Sequence, residues 1–191
     1  MKHPLRCLAA MKRLSVALPK ALFATFTATL LAACAGPQPQ DYVKEQPPLD
    51  LRRYFNGPLV AHGMFTDRQG RIVRRFTVQL QGRWDGEQGV LEEDFVYNDG
   101  ERQRRVWRIT HLGDGRYRGL ADDVVGEAEG IAAGNTLRWR YTLALPVDGR
   151  VWHVQFDDWM VLMDERVMLN RATMSKFGIE LGQVTLSFDK R

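Results

Sequence analysis

From Leu51 to Arg191, apolar and polar residues alternate with a period of two in one stretch after another, the spacing that sends successive side chains to opposite faces of a strand. In Thr136 to Leu145, the residues Leu137, Trp139, Tyr141, Leu143 and Leu145 share one face, while Arg138, Arg140 and Thr142 share the other. Ile72, Arg74, Phe76, Val78 and Leu80 repeat the scheme with one charged intrusion, and Arg105, Trp107, Ile109 and His111 do so less cleanly. Trp152, Val154, Phe156, Asp158, Met160 and Leu162 form a longer row, and Val184, Leu186 and Phe188 alternate with Thr185 and Ser187. Turn signals separate these stretches: Asp67 to Gly70, Asp85-Gly86, Asn98-Asp99-Gly100, Gly113-Asp114-Gly115, Gly134-Asn135, Asp148-Gly149 and Asp164-Glu165. Asp-Gly and Asn-Gly pairs supply the positive φ that hairpin turns demand.

These signals imply about eight consecutive strands, with one or two more where Gly119 to Gly134 is ambiguous. No helix of ordinary length stands out. A meander of so many long strands leaves two edges exposed as an open sheet, and closing on itself removes them. The pattern therefore predicts an all-β domain, an antiparallel meander closing into a barrel of about 8–10 strands, whose interior is just wide enough for side chains or one small ligand. A two-layer sandwich, with shorter strands and closer turns, is the alternative.

The N-terminal segment has a different pattern. Met11-Lys12-Arg13 precedes an apolar run from Leu14 to Leu31, the layout of an export signal. Its most apolar part, Ala21 to Leu31, is 11 residues long, short of the roughly 20 needed to span a bilayer. Leu31-Ala32-Ala33-Cys34 closes it and resembles the lipobox of bacterial lipoproteins, in which cleavage before the cysteine leaves a thiol that carries lipid. The expected organisation is a cleaved lipoprotein signal peptide over 1–33, a lipidated Cys34 with a flexible linker over 34–50, and the barrel over 51–191. The linker reading rests on four prolines and few apolar side chains. An ordinary secreted protein with Cys34 as a free thiol is the alternative, and a start at Met11 would give a tidier signal. Ala35 stands where a retention signal of some lipoproteins has Asp, which points to the outer membrane and a periplasm-facing domain.

Cleavage also changes the charge. The whole chain carries 27 Lys and Arg against 23 Asp and Glu; Lys2, Arg6, Lys12, Arg13 and Lys20 leave with the signal, so 22 remain against 23, a net of −1. A nucleic-acid partner thereby loses its electrostatic basis. Cys34 alone survives of the cysteines, which rules out an internal disulfide or cysteine metal cluster in the mature chain. His62, His111 and His153 have no metal-binding spacing, and Ser175 and Ser187 sit in no nucleophile motif, so neither a metal, a cofactor nor an ordinary enzyme is expected.

Asp122 to Gly130, Phe156-Asp157-Asp158-Trp159-Met160, Met163-Asp164 and Asn170 to Gly178, together with Gly57 and Gly63-Met64-Phe65, resemble a family of bacterial lipoproteins of unknown function with a lipocalin-like β-barrel. The resemblance covers essentially the whole mature domain and implies its location and fold. It carries no catalytic residues across.

Within the barrel, Trp107, Trp139, Tyr141, Trp152 and Phe156 are the candidate interior wall, with Arg138 or Arg140 and Asp158 as polar contacts for a ligand. Asp157 and Asp158 are adjacent on a strand and must point to opposite faces, so they cannot form one two-carboxylate site; a structural Asp-Arg pair is the simpler reading. The 19 arginines against three lysines after cleavage suit headgroup recognition, or simply the wet faces of strands. The expected function is membrane-anchored carriage of a small amphipathic ligand such as a fatty acid or phospholipid. A non-catalytic lipoprotein docking an envelope partner, and an enzyme with a cryptic site, are the alternatives.

Overall fold

The computed structural model describes residues 36–191, so the expected signal segment and Cys34 lie outside the described residues. Ten strands follow in order: β1 (Gly57–Asp67), β2 (Ile72–Asp85), β3 (Gln88–Tyr97), β4 (Arg102–Gly113), β5 (Arg116–Leu120), β6 (Ala128–Ala133), β7 (Thr136–Val147), β8 (Arg150–Leu162), β9 (Val167–Lys176) and β10 (Ile179–Lys190). Each pairs antiparallel with its sequence neighbours, and β1 also pairs with β10, placing Ala61 opposite Phe188 and Phe65 opposite Val184. The sheet is thus a closed barrel, and the sandwich is excluded. Every expected turn joins two strands.

One end of the barrel is plugged. A single helical turn, α1 (Leu51–Tyr54), is capped by Asp50, whose side chain accepts from the Arg52 backbone N–H at 2.9 Å. Leu51, Tyr54 and Phe55 are buried there. The Tyr54 hydroxyl donates to the Arg166 carbonyl at 2.9 Å, the Trp84 indole donates to the Phe55 carbonyl at 3.2 Å, and Lys190 Nζ donates to the Tyr54 carbonyl at 2.8 Å. Gly82 on β2 makes this fit possible, because a Cβ there would lie 1.8 Å from the Phe55 carbonyl oxygen. Gly82→Ala is therefore expected to cost about 2 kcal/mol in denaturant unfolding, as overpacking against backbone does. A change within a few tenths (~0.3 kcal/mol) would mean that α1 is not seated against β2.

The expected flexible linker is corrected over its C-terminal part. From Gln38 on, the chain is docked: Pro39, in a 3-10 turn (Pro39–Tyr42), is buried, Tyr42 meets Trp159 edge-on with ring centroids 6.0 Å apart, and Leu49 donates its N–H to the Gly134 carbonyl at 2.8 Å. Prolines reduce the entropy a segment loses on ordering. Here Pro39, Tyr42 and Leu49 supply the apolar surface that the composition seemed to lack.

The ambiguous stretch resolves into two short strands and a crossing loop. β5 pairs with β4 only as far as Leu120 opposite Arg108, and β6 pairs with β7 only as far as Glu129 opposite Arg140. The loop from Ala121 to Glu127 fills the gap: Val124 bridges Leu143, Val125 donates to the Thr142 carbonyl at 2.8 Å, and Ala144 donates to the Asp123 carbonyl at 2.8 Å. This places the Asp123 side chain against β4.

Candidate functional site

Alternation along ten strands fills the barrel with one set of side chains. In the plugged half, Leu59, Leu80, Leu137 and Met168 pack closely. Above them is a cavity of about 180 Å³, lined chiefly by aromatic and aliphatic groups from nearly every strand. Trp107 stands edge-on to Trp139 and to Tyr141 at 5.6 and 5.4 Å, and Tyr141 stacks on Phe156 at 5.0 Å. The indole of Trp139 lies flat across two strand backbones because Gly119 and Gly130 leave room; a Cβ at either would approach its ring to 2.4 Å.

Five of the eight expected ligand-contact residues line this cavity: Trp107, Trp139, Tyr141, Phe156 and Asp158. The other three do not. Arg138 and Arg140 face outward, as their alternation with Trp139 requires, and pair with Asp157 at 2.6 Å and Glu129 at 3.5 Å. Trp152 belongs to the row of Phe156 and Asp158 but stands near the start of β8, where it is 42% exposed and lies under Lys176. Asp157 is held by Arg138 on the outer face, whereas among the described residues the interior Asp158 has no arginine within ion-pair distance, so the interior Asp-Arg pair expected for this dipeptide does not form.

The interior cation is instead Arg105. Its guanidinium grips Asp123 through two nitrogens, Nε at 2.9 Å and Nη2 at 2.8 Å from Oδ2, and stands 3.9 Å from Glu93, its cross-strand partner on β3. Arg105 was legible in principle, since it shares a row with Trp107 and Ile109. Glu93 and Asn170 gave only the signal of one polar residue inside an otherwise apolar row: Leu91, Phe95 and Tyr97 in one case, Met168 and Ala172 in the other.

Glu93, Asp158 and Asn170 are 9%, 6% and 4% exposed, a burial that carboxylates rarely tolerate without compensation. Burial pushes the Glu93 carboxyl up to about 7, with Arg105 resisting and Asp123 adding to the rise. Burial likewise pushes Asp158 up to about 7, against hydrogen bonding from Asn170 and the charge of Arg105. Burial, with Asp158 adding, raises the Tyr141 phenol well above its ordinary value, so its hydroxyl stays neutral. One oxygen of Asp158 and the side-chain oxygen of Asn170 are buried with no hydrogen-bond partner among the described residues. Among the described residues, no group of three or more His, Cys, Asp and Glu is arranged to hold a metal. His111 pairs with Glu87 at the far rim, while His62 and His153 lie exposed on different strands.

Fold and site together define a closed ten-stranded antiparallel barrel with a polar cluster set in an apolar chamber. The chain belongs to the family described as "Protein of unknown function (DUF3833)", which matches residues 28–190. No curated protein matches it. Among solved structures it is similar to one described as "Structure of EF1p2_mFAP2b bound to DFHBI", at 10% identity and a TM-score of 0.44, over 74% of this chain and 100% of that one. That likeness is too remote to bear on function.

Proposed function

We propose that this protein is a lipid-anchored barrel of the bacterial envelope, of lipocalin-like character, that binds a small amphipathic ligand without catalysis. One observation carries the reading: an apolar chamber with a few convergent polar groups on one side is the usual form of a small-molecule site. The apolar body of the ligand lies against Trp107, Trp139, Tyr141 and Phe156, and its polar end meets Asp158, Asn170 and Glu93. An apolar cavity of roughly 150 Å³ accepts benzene. The chamber, at about 180 Å³, therefore suits a compact molecule or the end of a longer chain better than a whole phospholipid or fatty acid.

The anchor is Cys34, with the outer membrane and a periplasm-facing barrel as its setting. Cys34→Ala is expected to move the protein out of the detergent-extracted membrane fraction or to leave it uncleaved. Equal partitioning of both forms would remove the anchor from the account. For the cavity, native mass spectrometry of protein extracted from membranes is expected to show a one-to-one small-molecule adduct. A bare mass, together with no uptake of small apolar probes, would overturn carriage.

A second reading, docking of an envelope partner, is favoured by the end of the barrel opposite α1. Hairpin tips there present Ile72, Val73, Val151, Phe177 and Ile179, each 59% to 89% exposed, an unusual concentration of apolar surface. A protein retained at fixed stoichiometry in the same spectra would favour that reading.

A further inference from the structure

The charge inside the barrel has the wrong sign for an anionic ligand. Two buried carboxyl groups, Glu93 and Asp158, line the chamber with a single guanidinium, and that guanidinium, Arg105, is already held by both its fork with Asp123 and its approach to Glu93. Among the residues that line the chamber, a fatty-acid carboxylate would find no free cation and two buried acids beside it. What the cavity offers instead is acceptors. Asp158 and Asn170 line it, both are more than nine-tenths buried, and in each the Oδ1 oxygen receives no hydrogen bond among the described residues. Both lack the same thing, a donor. The aromatic faces of Trp139, Tyr141 and Phe156 around them add the negative quadrupole that attracts a cation.

We propose that the chamber binds a compact amphipathic amine, whose ammonium donates to Asp158 Oδ1 and Asn170 Oδ1 while its apolar body lies along Trp139, Tyr141 and Phe156. This rests on the ligand-binding reading above and names its ligand class. An ammonium brings up to three donors and a positive charge in one compact group, so it satisfies both oxygens and balances the excess acid. A hydroxyl supplies one donor and no charge, and a carboxylate supplies neither.

Binding should also release a proton. The groups facing Asp158 are Asn170 from β9, Tyr141 from β7, Arg105 from β4 and Glu93 from β3, with Asp157 beside it on its own strand and Asp123 behind Arg105. With its carboxyl pushed up to about 7 by burial, Asp158 must lose its proton to receive the ammonium at lower pH. Affinity then falls about tenfold per pH unit below that point, and falls again above about 10.4, where an alkylammonium deprotonates as lysine does.

The test is a matched series, octylamine, octanol and octanoate, titrated into the full chain carrying Cys34→Ala to keep it free of lipid, with tryptophan fluorescence as the readout. At pH 8 octylamine is expected to bind about tenfold or more tightly than octanoate, with octanol between them. Asp158→Asn is expected to bring octylamine level with octanol; because Glu93 also titrates near 7, this variant assigns the pH profile to Asp158. Octanoate binding as tightly as octylamine, or an octylamine affinity flat from pH 5 to 8, would overturn the amine and leave the ligand cavity standing. Failure of all three to bind would overturn both.

Discussion

Arg105→Met should be the most damaging single substitution in the barrel, lowering stability by about 3–5 kcal/mol, because removing one partner of a buried ion pair leaves the other uncompensated. The Arg105 side chain is only 13% exposed, and it neutralises Asp123 while restraining Glu93. Methionine fills the volume but leaves the half-buried Asp123 and the buried Glu93 without their cation. The loop from Ala121 to Glu127, which closes the gap between β4 and β7, is then expected to loosen with it. Arg138→Met provides the control. Arg138 holds Asp157 in an equally good fork, at 2.6 and 2.8 Å, but on the outer face, where such pairs contribute about 0–1 kcal/mol. Urea unfolding of the two variants separates the cases. Equal losses would mean that the interior charges are solvated much as those on the outer face are.

The second large effect has the opposite sign. Asp158 and Glu93 both have folded pKa values near 7, above their ordinary values of 3.8 and 4.5. The folded state therefore binds more protons than the unfolded state between about pH 4 and pH 7, and stability from these two groups is full below pH 4 and lost as pH rises through 7. Carboxyls held low by hydrogen bonds, such as Asp67 with Arg71 and Asp164 with the Val167 backbone, work in the other direction and lose their contribution in acid. Asp158→Asn isolates the first effect. It is expected to be more stable than the native chain by on the order of 3 kcal/mol at pH 8, with the gap shrinking as pH falls and closing near pH 4. Paired with weaker amine binding, this is the signature of a functional group kept at a cost in stability. If Asp158→Asn proves less stable at pH 8, the carboxylate is instead a structural partner of Arg105.

The barrel was legible because the period of two is a hard constraint. Once Leu137, Trp139 and Leu143 are assigned inward, Arg138 and Arg140 must face out, and the same parity that identified Trp107, Trp139, Tyr141, Phe156 and Asp158 argued against those two arginines as ligand contacts. Their charge made them attractive, but geometry decides. Parity also marked Arg105 as an interior residue; the habit of placing arginine on wet faces concealed it. Parity says nothing about height along the barrel, which is why Trp152, in the right row, ends at the rim. The hairpin at Phe177-Gly178 escaped notice because Phe177 adopts a positive φ of 52°, a conformation that bulky residues rarely take. Asp123 could not have been placed from sequence at all, since its role depends on β5 and β6 stopping short and a loop crossing between them.

The most direct test of the central claim, that the inside of this barrel receives a ligand, is methyl NMR of the methionines during an octylamine titration. Met160 and Met174 line the cavity, while Met163 is 55% exposed outside it. Saturable shifts of Met160 and Met174 with Met163 unmoved are the predicted result. Shifts confined to Met163, or none at any concentration short of unfolding, would contradict the account.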